Sequence, residues 1–182
     1  MNWMKKVAVA LVCLLPLGLQ AAKVDTLQVK SPSMNKSIEV VVVSPDVAAT
    51  KACPVIYLLH GYGGNARTWV GIKPDLSKIA DEKGIFFVCP DGKNTWYWDS
   101  PLNADVRYET FISDELVKYV DSHYKTVADR KGRAITGLSM GGHGAMWNGL
   151  RHSDVFSAAG STSGGVDIRP FPKNWEMSVQ IG

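Results

Sequence analysis

The sequence predicts an α/β domain built on a mostly parallel sheet, and three observations predict it. The apolar runs Val55-Ile56-Tyr57-Leu58-Leu59 and Ile85-Phe86-Phe87-Val88-Cys89 are continuous rather than alternating, as strands buried on both faces of a parallel sheet are. Segments of helical period alternate with them, at Pro74 to Lys83, Tyr108 to Tyr124 and His143 to Arg151. Loop-forming stretches follow the strands at His60-Gly61-Tyr62-Gly63-Gly64-Asn65, Pro90-Asp91-Gly92 and Gly137 to Gly142, and ligands of such sheets sit at the carboxyl ends of the strands.

Taken in order, Val24 to Val29 and Ser37 to Val43 read as an antiparallel hairpin at one edge, turned through Ser31-Pro32-Ser33-Met34-Asn35-Lys36. Asp46 to Cys53 reads as a loop. The helix Pro74 to Lys83 places Pro74 in its first turn, turns Leu76, Ile79 and Ala80 inward and stops at Gly84. In the helix Tyr108 to Tyr124, Ile112, Leu116, Tyr119, Val120 and His123 share one side. The strand Gly132 to Thr136 follows, then the helix ending near Arg151, and a short strand within Val155 to Ser163. Arg169 to Gly182 show no period.

The first 21 residues stand apart. Lys5 and Lys6 precede an apolar run from Val7 to Leu19, closed by Leu19-Gln20-Ala21, which reads as a secretory signal peptide with cleavage near Ala21. The run is short for a membrane span, and Val12 is too bulky to make Cys13 a lipoprotein anchor. One exported domain, 22–182, is expected, periplasmic or secreted and without a membrane once the signal is removed. The whole sequence carries a formal +3, and loss of Lys5 and Lys6 brings it closer to neutral, with no basic stripe to suit nucleic acid. Cys53 precedes one strand and Cys89 ends the next, so parallel pairing puts the thiols at opposite ends of the sheet and no disulfide is expected.

The chemistry centres on Gly137-Leu138-Ser139-Met140-Gly141-Gly142. A β-branched run precedes this G-x-S-x-G and a helix follows, which is the strand–turn–helix context of a nucleophile elbow. Serine at such a tip needs neighbours without bulk, and Gly137 and Gly141 supply them. An attacking serine also needs an oxyanion hole. The Met140 N–H beside it and an N–H of the glycine loop, at Tyr62, are the candidates.

No histidine offers itself as the base. His143 is one helical turn past Ser139 on a helix leading away, His152 is at the far end of that helix, and His123 is on another helix, half-buried. His60 suits a structural hydrogen bond that shapes its loop. Asp154 and Asp167 follow Ser139, but no histidine follows His152. In Trp96-Tyr97-Trp98, three successive rings are not expected to point inward together, so Trp96 or Trp98 is a candidate to line a substrate pocket. The alternative is that these rings belong to the core. The chemistry calls for neither a metal nor a cofactor.

The chain resembles the esterase family of α/β-hydrolases that includes feruloyl and acetyl xylan esterases, S-formylglutathione hydrolases and the antigen 85 mycolyltransferases. The resemblance covers about 24–165. It rests on Tyr57 to Gly64, on Trp96-Tyr97-Trp98-Asp99-Ser100-Pro101, on Tyr108-Glu109-Thr110-Phe111-Ile112, on Gly137 to Ala145, and on Arg151 to Ser157 with Ser161-Thr162-Ser163-Gly164. It implies an α/β-hydrolase fold with helices on both faces of the sheet, Ser139 as nucleophile, and Met140 and Tyr62 as oxyanion amides. It also implies later strands carrying an acid and a histidine, which these 182 residues do not contain, so the domain is expected to be C-terminally incomplete, slow in catalysis and prone to aggregate at an open sheet edge. The expected activity is hydrolysis of a small-molecule or polysaccharide ester. Acyl transfer by the same fold is an alternative, as is a catalytically impaired carbohydrate- or lipid-binding remnant.

Overall fold

The computed structural model describes residues 22–167 together with 169, 170, 174 and 177. The signal peptide expected at 1–21, and most of the stretch after 170, lie outside the described residues. Six strands form one sheet in the order β1-β2-β4-β3-β5-β6. They are β1 (Lys23–Ser31), β2 (Lys36–Ser44), β3 (Val55–Leu59), β4 (Phe86–Pro90), β5 (Arg133–Leu138) and β6 (Ala158–Thr162).

The β1–β2 hairpin is antiparallel, with Leu27 opposite Val40, and its turn places Asn35 in the left-handed region at φ 48°. β2 meets β4 antiparallel, whereas β4, β3, β5 and β6 run parallel. β6 pairs with β5 and, among the described residues, with nothing beyond it. The sheet is therefore mostly parallel, as the unbroken apolar runs of β3 and β4 require.

Alternation along the central strands divides the core in two. Val55, Tyr57, Leu59, Phe86, Val88 and Ile135 join a cluster with Ile112, Leu116, Val120 and Ala145 on one face. Leu58, Phe87, Val41 and Val43 join Leu76 and Ala80 on the other. Helices α1 (Thr68–Ile72) and α2 (Leu76–Lys83) thus cover one face. The other is covered by the run α3 (Tyr108–Thr110), a π-helical turn (Phe111–Glu115) and α4 (Leu116–His123), and by α5 (Met140–Arg151). Cys53 and Cys89 are buried free thiols in different clusters, on opposite faces as well as at opposite ends of paired strands.

Four local expectations are corrected. Asp46–Ala49 forms a 3₁₀ turn within the expected loop, and α1 is an extra helix. Pro74 lies outside α2, because the Leu76 N–H turns back to Lys73 O at 3.0 Å and Asp75 becomes the residue before the helix. Gly84 does end α2, at φ 63°, ψ 46°. The helix expected from Tyr108 is interrupted by its π turn, and its expected inward face is kept only in part. That face becomes Ile112, Leu116, Val117 and Val120, and His123 is exposed rather than half-buried.

Candidate active site

β5 delivers the chain to Ser139 and α5 carries it away, and the turn between them is strained. Ser139 has φ 53° and ψ −116°, a region that L-residues avoid at a cost of about 1–3 kcal/mol. The surroundings hold it there. Its N–H donates to Thr162 O at the end of β6 (2.8 Å), and its carbonyl accepts the His143 N–H (3.0 Å). A Cβ on Gly137 would stand 2.3 Å from the Gly141 carbonyl, and one on Gly141 would stand 2.2 Å from Leu59 O. Strand and helix close on each other only because both positions are glycine. Ser139 is exposed and Met140, which starts α5, is fully buried. The first N–H groups of α5 lack intrahelical acceptors and carry the positive end of the helix dipole.

The glycine loop after β3 lies against this turn. A Cβ on Gly61 would be 3.3 Å from Leu138 O and 3.5 Å from Ser139 Cβ, so the backbone leading into Tyr62 passes beside the serine. His60 fixes that path. Its buried ring accepts the Gly92 N–H at Nε2 (2.9 Å), which leaves the proton on Nδ1 to be donated to Gly61 O (2.7 Å). Asp91 Oδ1 lies 3.5 Å from Nε2, but the shorter backbone contact makes that nitrogen an acceptor. Tyr97 donates its hydroxyl to His60 O (3.1 Å), and Asn94 Oδ1 accepts the Gly63 N–H (2.8 Å). The sequence hinted at the role of His60 but gave no sign of Gly92 or Asn94, which lie some thirty residues away along the chain.

The aromatic loop departs from expectation. Trp96, Tyr97 and Trp98 are 4%, 0% and 3% exposed, so all three point inward. Alternation fails because Lys93, Trp96 and Tyr97 have φ of 50°, 58° and 61°, which curls the loop. Trp96 and Trp98 stand edge-on to the His143 ring at 5.3 and 5.1 Å, and Tyr97 lies under Gly144 of α5. The expectation that the three rings would not all point inward is therefore corrected: Trp96 and Trp98 pack against His143 of the elbow helix.

A strained, exposed serine between a parallel strand and a helix, faced by a glycine loop, matches a known family. The family model described as Putative esterase matches residues 31–179. The chain belongs to this esterase family. It is 31% identical over 149 residues to an esterase of Mycobacterium tuberculosis, covering 78% of this chain and 32% of that one. It is 32% identical over 158 residues to a diacylglycerol acyltransferase/mycolyltransferase of Mycobacterium leprae, covering 79% and 44%. A solved ferulic acid esterase superposes with a TM-score of 0.73 at 30% identity, over 88% of this chain and 68% of that one. The chain spans about a third of the length of the first curated relatives it matches. The α/β-hydrolase fold of these esterases is the fold described above.

Within this esterase-family chain, each of the four histidines is engaged away from Ser139. His143 bonds Gly165 O through Nδ1 (2.8 Å) among Trp96, Trp98 and Trp147, and burial lowers its pKa. His123 stacks on Tyr119 and bonds its carbonyl (2.8 Å). His152 Nε2 meets Glu109 Oε1 at 2.9 Å, so a carboxylate partner, rather than the helix dipole alone, holds it. The same Glu109 also accepts from Trp147 Nε1 and Arg151 Nε, both at 2.7 Å, clamping the far half of α5 to α3. The clamp was not legible in the sequence, where Glu109 is an ordinary acidic residue near a helix start. Among the described residues no group of three or more metal-ligating side chains occurs, and no helix is long and apolar enough to cross a membrane.

Proposed function

We propose that this esterase-family chain carries the nucleophilic half of an exported serine carboxylesterase that works through an acyl-enzyme. The observation that carries the proposal is Ser139 itself, exposed and held at φ 53°, ψ −116° on a turn whose neighbours admit no Cβ. In this reading Ser139 Oγ attacks the ester carbonyl, and the N–H groups of Met140 and Tyr62 receive the oxygen that becomes negative. Collapse of the tetrahedral intermediate expels the alcohol and leaves the acyl group on Ser139. Pre-set donors of this kind are each worth about 10²–10³ in rate. Export rests on the signal-like 1–21 segment.

The similarity to a ferulic acid esterase supports an acylated polysaccharide, or a small acetylated or feruloylated molecule, as substrate. The similarity to a mycolyltransferase supports a second reading, in which the same acyl-enzyme passes its acyl group to a sugar hydroxyl instead of water.

The proton of Ser139 is the discriminating point. All four histidines of the sequence are bonded elsewhere, so these 182 residues set no imidazole on Oγ. Loss of a triad base costs on the order of 10⁴–10⁶ in kcat. Purified residues 22–182 are therefore expected to turn over p-nitrophenyl acetate that much more slowly than an esterase with a full triad. Rapid multiple turnover that disappears in Ser139→Ala would show that one of the four histidines does serve.

A further inference from the structure

A polar groove of about 460 Å³ lies beside the oxyanion loop and does not include Ser139. Its size falls within the usual range for small-molecule sites, roughly 300–1,000 Å³, but its lining does not resemble an apolar pocket. The floor is sheet. Gln28 stands opposite Glu39 across the β1–β2 pair, and Ser37 is two residues before Glu39 on the same face. The wall is loop: Asn65 and Arg67 follow the glycine stretch, and Lys93 follows β4. The Asp91 N–H donates to Glu39 O at 2.9 Å, which extends the floor to the end of β4.

Two features say what such a groove would hold. Its charges cancel in pairs, Arg67 with Glu39 at 3.5 Å and Lys93 with Asp91 at 2.6 Å, so neither an anion nor a cation is favoured. Gln28 and Ser37 present an exposed amide and hydroxyl that can both donate and accept, and exposed Asn65, whose Oδ1 takes the Arg67 N–H at 2.8 Å, offers its amide N–H groups as donors. A neutral ligand dense in hydroxyl groups fits this set. The groove is also tied to the chemistry. Asn65 is three residues from Tyr62, a span of at most about 10 Å, and Asn94 next to Lys93 holds the Gly63 N–H.

We propose that this groove is a glycan subsite, taking a neutral sugar unit of a polysaccharide chain whose ester is presented at Ser139. The proposal deepens the esterase reading and rests on it for the direction of the chain. Hydroxyl pairs of the sugar bridge Gln28 and Glu39 on the floor, and Asn65 and Arg67 close over them. An acyl group on a neighbouring sugar unit then lies toward Tyr62 and Ser139.

The test is titration of the isotope-labelled chain with xylohexaose and cellohexaose, followed by amide resonances, with inorganic phosphate as the charged probe. Saturable shifts at Gln28, Ser37, Asn65 and Arg67 are expected with at least one oligosaccharide, unchanged by added salt. The double variant Glu39→Ala/Arg67→Ala alters two solvent-facing side chains and should bind about tenfold more weakly, and Gln28→Ala should weaken binding as well. No shifts with either sugar, shifts confined to another surface, or salt-sensitive shifts with phosphate alone would each overturn the subsite. Fluorophosphonate capture by the same samples separates the two ideas. Capture without sugar binding removes the subsite and leaves the esterase reading, and sugar binding without capture does the reverse.

Discussion

Replacing Gly141 by alanine is expected to dismantle the elbow. The added methyl would stand 2.2 Å from Leu59 O, 2.5 Å from Leu59 C and 2.6 Å from His60 O. These are backbone atoms of the central strand, so no side chain can swing aside. Over-packing where neighbours can yield costs about 1–3 kcal/mol. Here either α5 must lift from β3 or Ser139 must leave its strained conformation, so the loss is expected at or above the top of that range. Urea unfolding should show it directly. Reaction at Ser139 should fall further than stability does, because a small displacement of the turn moves Oγ away from the glycine loop. A variant with unchanged midpoint and unchanged reactivity would mean that the close approach is not needed.

Glu109→Ala is the second large effect. Glu109 is 8% exposed and takes three donors, from Trp147, Arg151 and His152. Its removal strands the half-buried indole N–H of Trp147 and unclamps α5 from α3, at a cost of about 2–3 kcal/mol. For a chain of this size that is a fall of roughly 5–10 °C in Tm. The loss should also depend on pH. Burial acts to raise the Glu109 carboxyl, but the hydrogen bonds from Arg151, Trp147 and His152 outweigh it and hold the pKa below the usual glutamate value. A lowered folded pKa means the contribution is complete above the unfolded value and lost as pH falls through the folded one. The gap in Tm between native protein and Glu109→Ala should thus be full at neutral pH and narrow below about pH 4. A gap that stays constant on acidification would place the stabilisation elsewhere.

How much the sequence discloses depends on how local the governing interaction is. β3 is legible to the residue because its burial on both faces is written in five consecutive apolar side chains. The Ser139 turn is legible because its sterics need glycines two residues to either side, a fixed local spacing. Gly84 ends α2 for an equally local reason. The inward turn of all three aromatic rings is not legible, because it depends on positive φ at Lys93, Trp96 and Tyr97, which no local spacing announces. His123 stands outside the core because it closes α4, where its ring turns back onto Tyr119, and apolar spacing alone does not say where the covered part of a helix ends. The Glu109 clamp and the Gly92 and Asn94 contacts join residues some thirty or more positions apart, so no single stretch could display them.

The central claim is that Ser139 is a preorganised nucleophile faced by an oxyanion site, whatever supplies its base. The most direct measurement is intact-mass and peptide-mapped reaction of the purified chain with a fluorophosphonate, whose tetrahedral phosphorus takes the place of the attacked carbonyl. A single adduct on Ser139, absent in Ser139→Ala and in heat-unfolded protein, is the predicted result. A folded chain that stays unmodified, or that carries its adduct on another residue, would contradict it.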